Sequence, residues 1–278
     1  MRAGRLAAGV GALAAIILAM VSAGGATRAE SSPALSPDAL RAVCVKSVAE
    51  MESLARSNPL EFLRTSLRWH EQRITDYTCT FQRQELVNGK LGKTEIVALK
   101  FREEPLAVYM KWRNGPNKGQ EVIYAQGRND GKLVVHPGGL TGAIFRKVFI
   151  EPDGKLAMKQ SRRPITQAGM AHQLEVVIPE IETGFARGDC CLEYIGIRDE
   201  CGRPAYVFKR TFPKKDGYTC HQLFIYIDQQ FLVTVRTEAY DWEGRLVSDY
   251  RYTDLQINPG LTDDDFDPNN RDYAYRVL

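Results

Sequence analysis

The four histidines are the residues of this chain best suited to nucleophilic or acid–base catalysis. They follow no fixed spacing to one another or to a serine or cysteine nucleophile: His70, His136, His172 and His221. A Gly-x-Ser-x-Gly elbow, which would expose a nucleophilic serine at a strand-to-helix turn, does not occur. A glycine-rich phosphate loop is also absent. The sequence therefore predicts a protein that is not an enzyme and needs no cofactor.

Two groups of residues carry metal-ligand atoms, but their spacing argues against a metal site. An aspartate run offers the oxygen ligands of Ca²⁺ without the spacing or central glycine of an EF-hand loop, and is typical of a turn or helix cap: Asp263, Asp264, Asp265 and Asp267. A second group does not follow the spacing of a zinc ribbon or finger: Cys190, Cys191, Cys201, Cys220 and His221. No metal is predicted.

The first residues have the pattern of a secretory signal peptide, which we assign to residues 1–29. An uncharged apolar run from Leu6 to Met20 follows two arginines, and small residues follow at Val21-Ser22-Ala23. The alternative is a retained anchor, because Leu6 to Ala26 is long enough for a membrane helix of about 20 residues. The pattern predicts a periplasmic or secreted protein.

Charge and cysteine content agree with export. Cleavage after Ala23 removes two arginines and takes the formal charge from +3 to +1, so no basic surface is predicted and nucleic acid is excluded as a partner. Six cysteines in an exported chain favour disulfides. We expect a Cys44–Cys79 bridge that ties a helix to the first strand. In a simple meander Cys190 and Cys220 would lie roughly 9–10 Å apart, beyond the roughly 7 Å limit.

The remaining pattern predicts one α+β domain. Residues 30–57 are expected to form a linker and an N-terminal helix from Asp38 to Arg56, and residues 58–278 the domain. Asn58 caps a second helix that starts at Pro59 and runs to about Arg73. Predicted strands begin near Tyr77, Val97 and Leu106, with an Asn88-Gly89 turn, and continue at these ranges: Glu121 to Ala125, Lys132 to His136, Ile144 to Ile150 and Ala157 to Gln160.

A third helix is predicted from Ile165 to Phe185, with Pro179 expected to kink or end it. Five strands then follow: Cys190 to Arg198, Ala205 to Phe212, Thr219 to Asp228, Phe231 to Asp241 and Leu246 to Ile257. The last three form a clear antiparallel meander over Tyr218 to Asn258. A sheet of about ten strands tends to curl, so we predict a large curled antiparallel sheet, an incomplete β-barrel, lidded by a few helices.

This order of elements resembles the LolA/LolB lipoprotein-carrier fold. The resemblance covers roughly Leu60 to Tyr273 and is carried by three runs: Lys100 to Trp112, Glu121 to Gly127, and the closing meander with its Asp241-Trp242-Glu243-Gly244 turn. The end of the chain, through Gly260-Leu261-Thr262 and Asp265-Phe266, is most similar to an uncharacterised exported LolA-like family. Where the carriers have an arginine before the proline of the third strand, this chain has Glu104, with Arg102 two residues earlier.

The resemblance implies a half-barrel whose interior holds lipid acyl chains. Its predicted cavity wall combines strand and helix stripes: Val97, Leu99, Phe101, Val108, Met110, Trp112, Met170, Leu174, Val177 and Ile178. The alternative is an ordinary filled core. Candidates for contact with an anionic lipid headgroup are Arg102, Arg162 and Arg163, and a solvated loop is the alternative for the last two.

The sequence therefore predicts a binding protein for an apolar ligand, a lipid or lipidated polypeptide, with at most transient membrane contact. The alternative is a protein-interaction or envelope-sensor module that uses the same half-barrel to bind a partner segment by strand addition or groove packing.

Overall fold

A computed structural model describes residues 47–144, 147–159 and 161–275. The predicted signal peptide, the linker and Cys44 lie outside the described residues. The helices are α1 (Val48–Ser57), α2 (Pro59–Arg73), α3 (Gly139–Ile144) and α4 (Met170–Ala186). The first seven strands are β1 (Asp76–Val87), β2 (Lys90–Leu91), β3 (Glu95–Arg102), β4 (Ala107–Trp112), β5 (Glu121–Ala125), β6 (Leu133–His136) and β7 (Val148–Ile150). The last five are β8 (Cys191–Glu200), β9 (Arg203–Thr211), β10 (Gln222–Asp228), β11 (Thr234–Tyr240) and β12 (Leu246–Ile257).

Eleven of these strands follow one antiparallel path, in the order β7-β6-β5-β4-β3-β1-β12-β11-β10-β9-β8, and β2 extends β1 as a short hairpin. The long β1 and β12 pair with each other, from Tyr77 opposite Ile257 to Glu85 opposite Ser248. That pairing joins the two predicted blocks of strands into one sheet. The predicted fold class, a large antiparallel sheet with few helices, is confirmed, and so is the closing meander.

The predicted ends of the first two helices are set by capping side chains. Ser47 and Glu50 form a capping box. In a capping box, two N–H groups at the start of a helix that lack backbone partners bond to side chains instead. Helix α1 consequently begins at Val48, so the predicted helix from Asp38 to Arg56 is not continuous through Ser47, and its residues 38–46 lie outside the described residues. The predicted cap of α2 is confirmed, because Asn58 Oδ1 accepts a hydrogen bond from the Glu61 N–H at 3.1 Å.

The middle of the chain departs most from the predicted elements. Residues Ile165–Gln167 form a separate 3₁₀ turn, and α4 begins only at Met170. Pro179 does not end α4, which continues to Ala186. Buried residues before and after Pro179 hold the helix on the sheet, and such packing outweighs the lost backbone hydrogen bond. The predicted strand at Ala157 is a 3₁₀ turn, Ala157–Lys159. Of the predicted strand from Ile144 to Ile150, only Val148–Ile150 is a strand.

Helices and the C-terminal segment cover different parts of the sheet. Helices α1, α2 and α4 pack over β8 to β11 and bury a core with Phe62, Ile178 and Phe208. The C-terminal segment covers the other face of β4 to β6, where the rings of Tyr109 and Tyr273 stack with centroids 4.1 Å apart. Among the described helices, only the first turn of α4, with Met170 and Gln173, reaches the inner face of β1 and β3 to β6. Among the described helices, none has the length and apolar character needed to cross a bilayer.

Candidate functional site

A cavity of about 280 Å³ lies over this inner face. Its floor is the sheet, and its cover is a roof segment formed by residues 150–159 and 161–169. The roof is hydrogen-bonded to β1 at two points. The Met170 N–H donates a hydrogen bond to the Tyr77 hydroxyl at 3.1 Å, and Arg162 Nη1 donates to the Leu86 carbonyl oxygen at 3.0 Å.

Gly169 allows the roof to meet the sheet closely. Its φ is +122°, a conformation that side-chain-bearing residues rarely adopt. A Cβ at this position would lie 2.8 Å from Cζ of Phe101. Gly169 therefore lets the chain pass directly over the Phe101 ring and close this end of the cavity.

Directly opposite residues in a sheet share a face, and on the inner face they form two apolar rows. The first apolar row crosses β3 to β6, and all four of its residues line the cavity: Leu99, Met110, Val122 and Val135. The second apolar row crosses β12, β1, β3 and β4: Tyr252, Phe81, Val97 and Trp112. All of the second row except Val97 line the cavity.

The next row along the strands is polar. This charged row consists of Tyr250, Arg83 and Glu95, which lie opposite one another on β12, β1 and β3. Arg83 Nε lies 2.6 Å from Glu95 Oε2, and Arg83 Nη1 lies 3.5 Å from Glu85 Oε2. The hydroxyl of Tyr250 donates a short hydrogen bond to Glu85 Oε1. The inner face thus changes from apolar to ionic within two residues of each strand.

The roof carries further polar groups to the same end of the cavity. Arg83 Nη1 donates to the Ser161 hydroxyl at 3.2 Å, and Ser161 donates to the Arg163 carbonyl oxygen at 2.8 Å. Burial raises the pKa of Tyr250 and of Tyr252, and the nearby positive charge of Arg163 opposes that rise in both. Arg163, Tyr250 and Tyr252 all line the same cavity.

The structure divides the predicted cavity residues into three sets. Leu99, Met110 and Trp112 line the cavity. A second set lies in the same apolar cluster beside the cavity: Val97, Phe101, Val108 and Met170. The third set, Leu174, Val177 and Ile178, lies in the helix-covered core and not at the cavity, because α4 packs this stripe onto the other half of the sheet.

Of the three predicted headgroup arginines, only Arg163 lines the cavity. Arg162 is exposed and is bonded to Leu86. Arg102 lies on the opposite face of β3, where its Nη1 is 2.9 Å from Asp263 Oδ1 and its guanidinium covers the Phe266 ring. It is placed there because its cross-strand partner is Ala107, whose side chain belongs to the outer core.

The structure shows where the aspartate run and the described cysteines lie and which groups they contact. Asp263–Phe266 is a 3₁₀ turn in which Asp265 completes a capping box and pairs with Lys100, so the predicted cap is confirmed. Within the described ranges no group of ligands has a geometry for a metal ion. The five described cysteines form no disulfide with one another. Cys79 is buried in β1, and its pairing with Cys44 stays a prediction.

Arg83, Glu85 and Tyr250 were missed as site residues by sequence reasoning. The signal was present in β1, where Tyr77, Cys79 and Phe81 alternate with polar residues and the same alternation continues to Arg83 and Glu85. Continuing the period of two would have placed both charges on the inner face.

Comparison with known proteins identifies a matching family model and several solved structures with a similar fold. Residues 74–275 match the family model described as "Protein of unknown function (DUF1571)". No curated protein matches the chain. Among solved structures, MucB is similar over 76% of this chain and 63% of its own length, at 15% identity and a TM-score of 0.46. The chain thus spans less than two thirds of MucB.

Two further similar structures are matched over nearly their whole length. The Mycobacterium tuberculosis lipoprotein LppX is 16% identical, with 74% of this chain and 99% of LppX covered and a TM-score of 0.44. A LolA superfamily protein from Nitrosomonas europaea is 12% identical, with 74% and 97% covered and a TM-score of 0.31.

Proposed function

We propose that this chain, which belongs to the DUF1571 family, is a non-enzymatic exported protein that holds a lipid or the lipid of a lipidated polypeptide. The observation that supports this most directly is the pair of apolar rows that face an open space of about 280 Å³. Ligand sites are typically concave and mostly apolar, with a few polar groups that orient the ligand. The predicted signal peptide supports a periplasmic or secreted location.

The cavity suits reversible binding. Burial contributes about 0.8 kcal/mol for each methylene group, so ten methylenes gain about 8 kcal/mol, which corresponds to a dissociation constant of about 1 μM before the costs of association. Leu156 lines the cavity and is 72% exposed. It offers an apolar path for a ligand that passes between the cavity and a membrane or partner during transient contact.

The protein is expected to carry lipid when it is purified from its native compartment. Native mass spectrometry should show a bound mass that solvent extraction removes, and the extracted protein should take up a fluorescent fatty acid. A protein that carries no lipid and takes up no fatty acid after extraction would reject the proposal.

The free edge of β8 favours protein interaction as a second function. This strand is ten residues long, ends the sheet and pairs only with β9 among the described strands. Such an edge offers unpaired N–H and C=O groups to another strand. A bulge between Tyr194 and Gly196 brings Glu193 and Arg198 to one face and Tyr194 and Ile197 to the other. Antiparallel pairing with a second copy would set Glu193 opposite Arg198, and Tyr194 opposite the 43% exposed Ile197.

We expect a concentration-dependent dimer whose stability depends on these charges. Arg198→Glu places like charges opposite each other and should weaken the dimer at least tenfold in sedimentation velocity experiments. Glu193→Arg should do the same, whereas the double exchange Glu193→Arg/Arg198→Glu should restore the dimer. A chain that stays monomeric at all concentrations, or a double exchange that behaves like the single variants, contradicts this function.

A further inference from the structure

The charged side chains on the floor of the cavity lie at one end of it. The two apolar rows occupy most of the floor, and the charged row follows them toward the ends of β1 and β12 that carry Glu85 and Tyr250. Ser161 and Arg163 of the roof lie at this same end. A ligand that matched the whole cavity would therefore be apolar along most of its length and polar at one end.

The charges that line the cavity do not cancel. Four ionisable side chains with full charges line the cavity: Arg83, Glu85, Lys159 and Arg163. Arg83 is already paired with Glu95 and Glu85, and Glu85 also accepts the Tyr250 hydroxyl. Within the described ranges, neither Lys159 nor Arg163 has a carboxylate within ion-pair distance. The excess charge of the cavity lining is positive.

Arg163 is the better placed of these two cations. Lys159 is exposed, so water solvates its ammonium group, whereas Arg163 is half-buried and lines the same cavity as Tyr250 and Tyr252. A cation that is partly removed from water without a partner raises the free energy of the empty site. A carboxylate or phosphate would supply the missing partner, and the planar guanidinium binds both groups in bidentate geometry.

The volume of the cavity limits the apolar part of the ligand. Sites for drug-sized ligands occupy roughly 300–1,000 Å³, and this cavity lies just below that range. The two apolar rows of its floor lie side by side, and each has four side chains. The width of this floor matches one extended hydrocarbon chain better than two or three chains. A diacyl or triacyl lipid would need the roof to move away.

We propose that the ligand is a single-chain amphiphile with an anionic head, bound with its chain over the two apolar rows and its carboxylate or phosphate against Arg163. This inference rests on the proposed function and adds the chemical class and orientation of the ligand. Arg163 is the residue that selects the head. Arg83 is a positioning residue, because its hydrogen bond holds the Ser161 hydroxyl of the roof.

The test compares three 16-carbon probes by displacement of a fluorescent fatty acid from the full, lipid-extracted chain. Hexadecanoate and hexadecyl phosphate should bind at least tenfold more tightly than methyl hexadecanoate, which has no charge. Arg163→Gln should remove this preference and leave the affinity for the methyl ester unchanged. The matched control is Arg271→Gln, which loses the same charge at an exposed position of the C-terminal segment that does not line the cavity, and should keep the preference.

The outcomes separate this inference from the proposed function. Tight binding of only one of the two anions supports the inference and identifies the head as carboxylate or phosphate. Equal binding of all three probes, or an unchanged preference in Arg163→Gln, overturns the anionic head but leaves lipid binding in place. If none of the probes displaces the fluorescent fatty acid, the head assignment is overturned. A lipid-extracted protein that does not bind the fluorescent fatty acid itself overturns the proposed function.

Discussion

Replacement of Val122 by phenylalanine is expected to weaken fatty-acid binding about 60-fold while the protein remains folded. Val122 lies in the first apolar row, between Met110 on β4 and Val135 on β6, and faces the cavity. A phenyl ring at this position would occupy the space of about three methylene groups of the ligand. At about 0.8 kcal/mol each, the loss is about 2.4 kcal/mol, or about 60-fold in the dissociation constant.

The same substitution outside the cavity provides the control. Val48 is 54% exposed at the start of α1, so Val48→Phe should leave both binding and stability unchanged. Overpacking a filled core typically costs 1–3 kcal/mol, but the ring at position 122 enters an open space. Thermal unfolding should therefore occur within a few degrees of the wild-type temperature. Wild-type affinity in a folded Val122→Phe variant would mean that the ligand binds elsewhere.

The strands could be predicted from sequence because each one carries its own signal. The alternation in β4 sends the predicted cavity residues Val108, Met110 and Trp112 to the inner face, and it sends Ala107 and Tyr109 to the outer face. Turn residues such as Asn88-Gly89 fix the ends of hairpins locally, and both have the positive φ that this turn requires. Capping residues likewise define α2 without any long-range contact.

The division of the inner face into cavity and core could not be predicted in the same way. The stripe Leu174, Val177 and Ile178 has the same pattern whether α4 covers the cavity or the other half of the sheet. Its position depends on the β1–β12 pairing, which joins residues about 170 positions apart in the chain. The start of α4 depends on Gly169, whose conformation is required by the contact with Phe101 and not by its sequence neighbours.

The charged row could not be predicted from the sequence for a different reason. Arg83 and Glu85 follow the strand alternation, but a charge on an inner face is expected to be rare unless it is paired. Their partners, Glu95 and Tyr250, come from two other strands. Only the register of three strands brings these four groups together.

Truncation of Phe62 to alanine is expected to destabilise the protein by about 3–5 kcal/mol, the usual range for a buried phenylalanine. Phe62 is fully buried where α2 meets β9, and its ring centroid lies 4.9 Å from those of Tyr206 and Phe208. Removing the ring leaves a void in the helix-covered core, which the rigid sheet cannot close. Urea unfolding monitored by circular dichroism measures the loss as a lower midpoint.

The matched control is Phe149→Ala, because Phe149 is 53% exposed on β7 and its truncation should cost less than about 1 kcal/mol. Phe62 belongs to the helix-covered core and does not line the cavity. The Phe62→Ala variant should therefore bind fatty acid with a dissociation constant within about twofold of wild type, at temperatures where it is folded. A folded variant that loses binding would show that the helix-covered core supports the cavity, contrary to the separation of the two halves of the sheet.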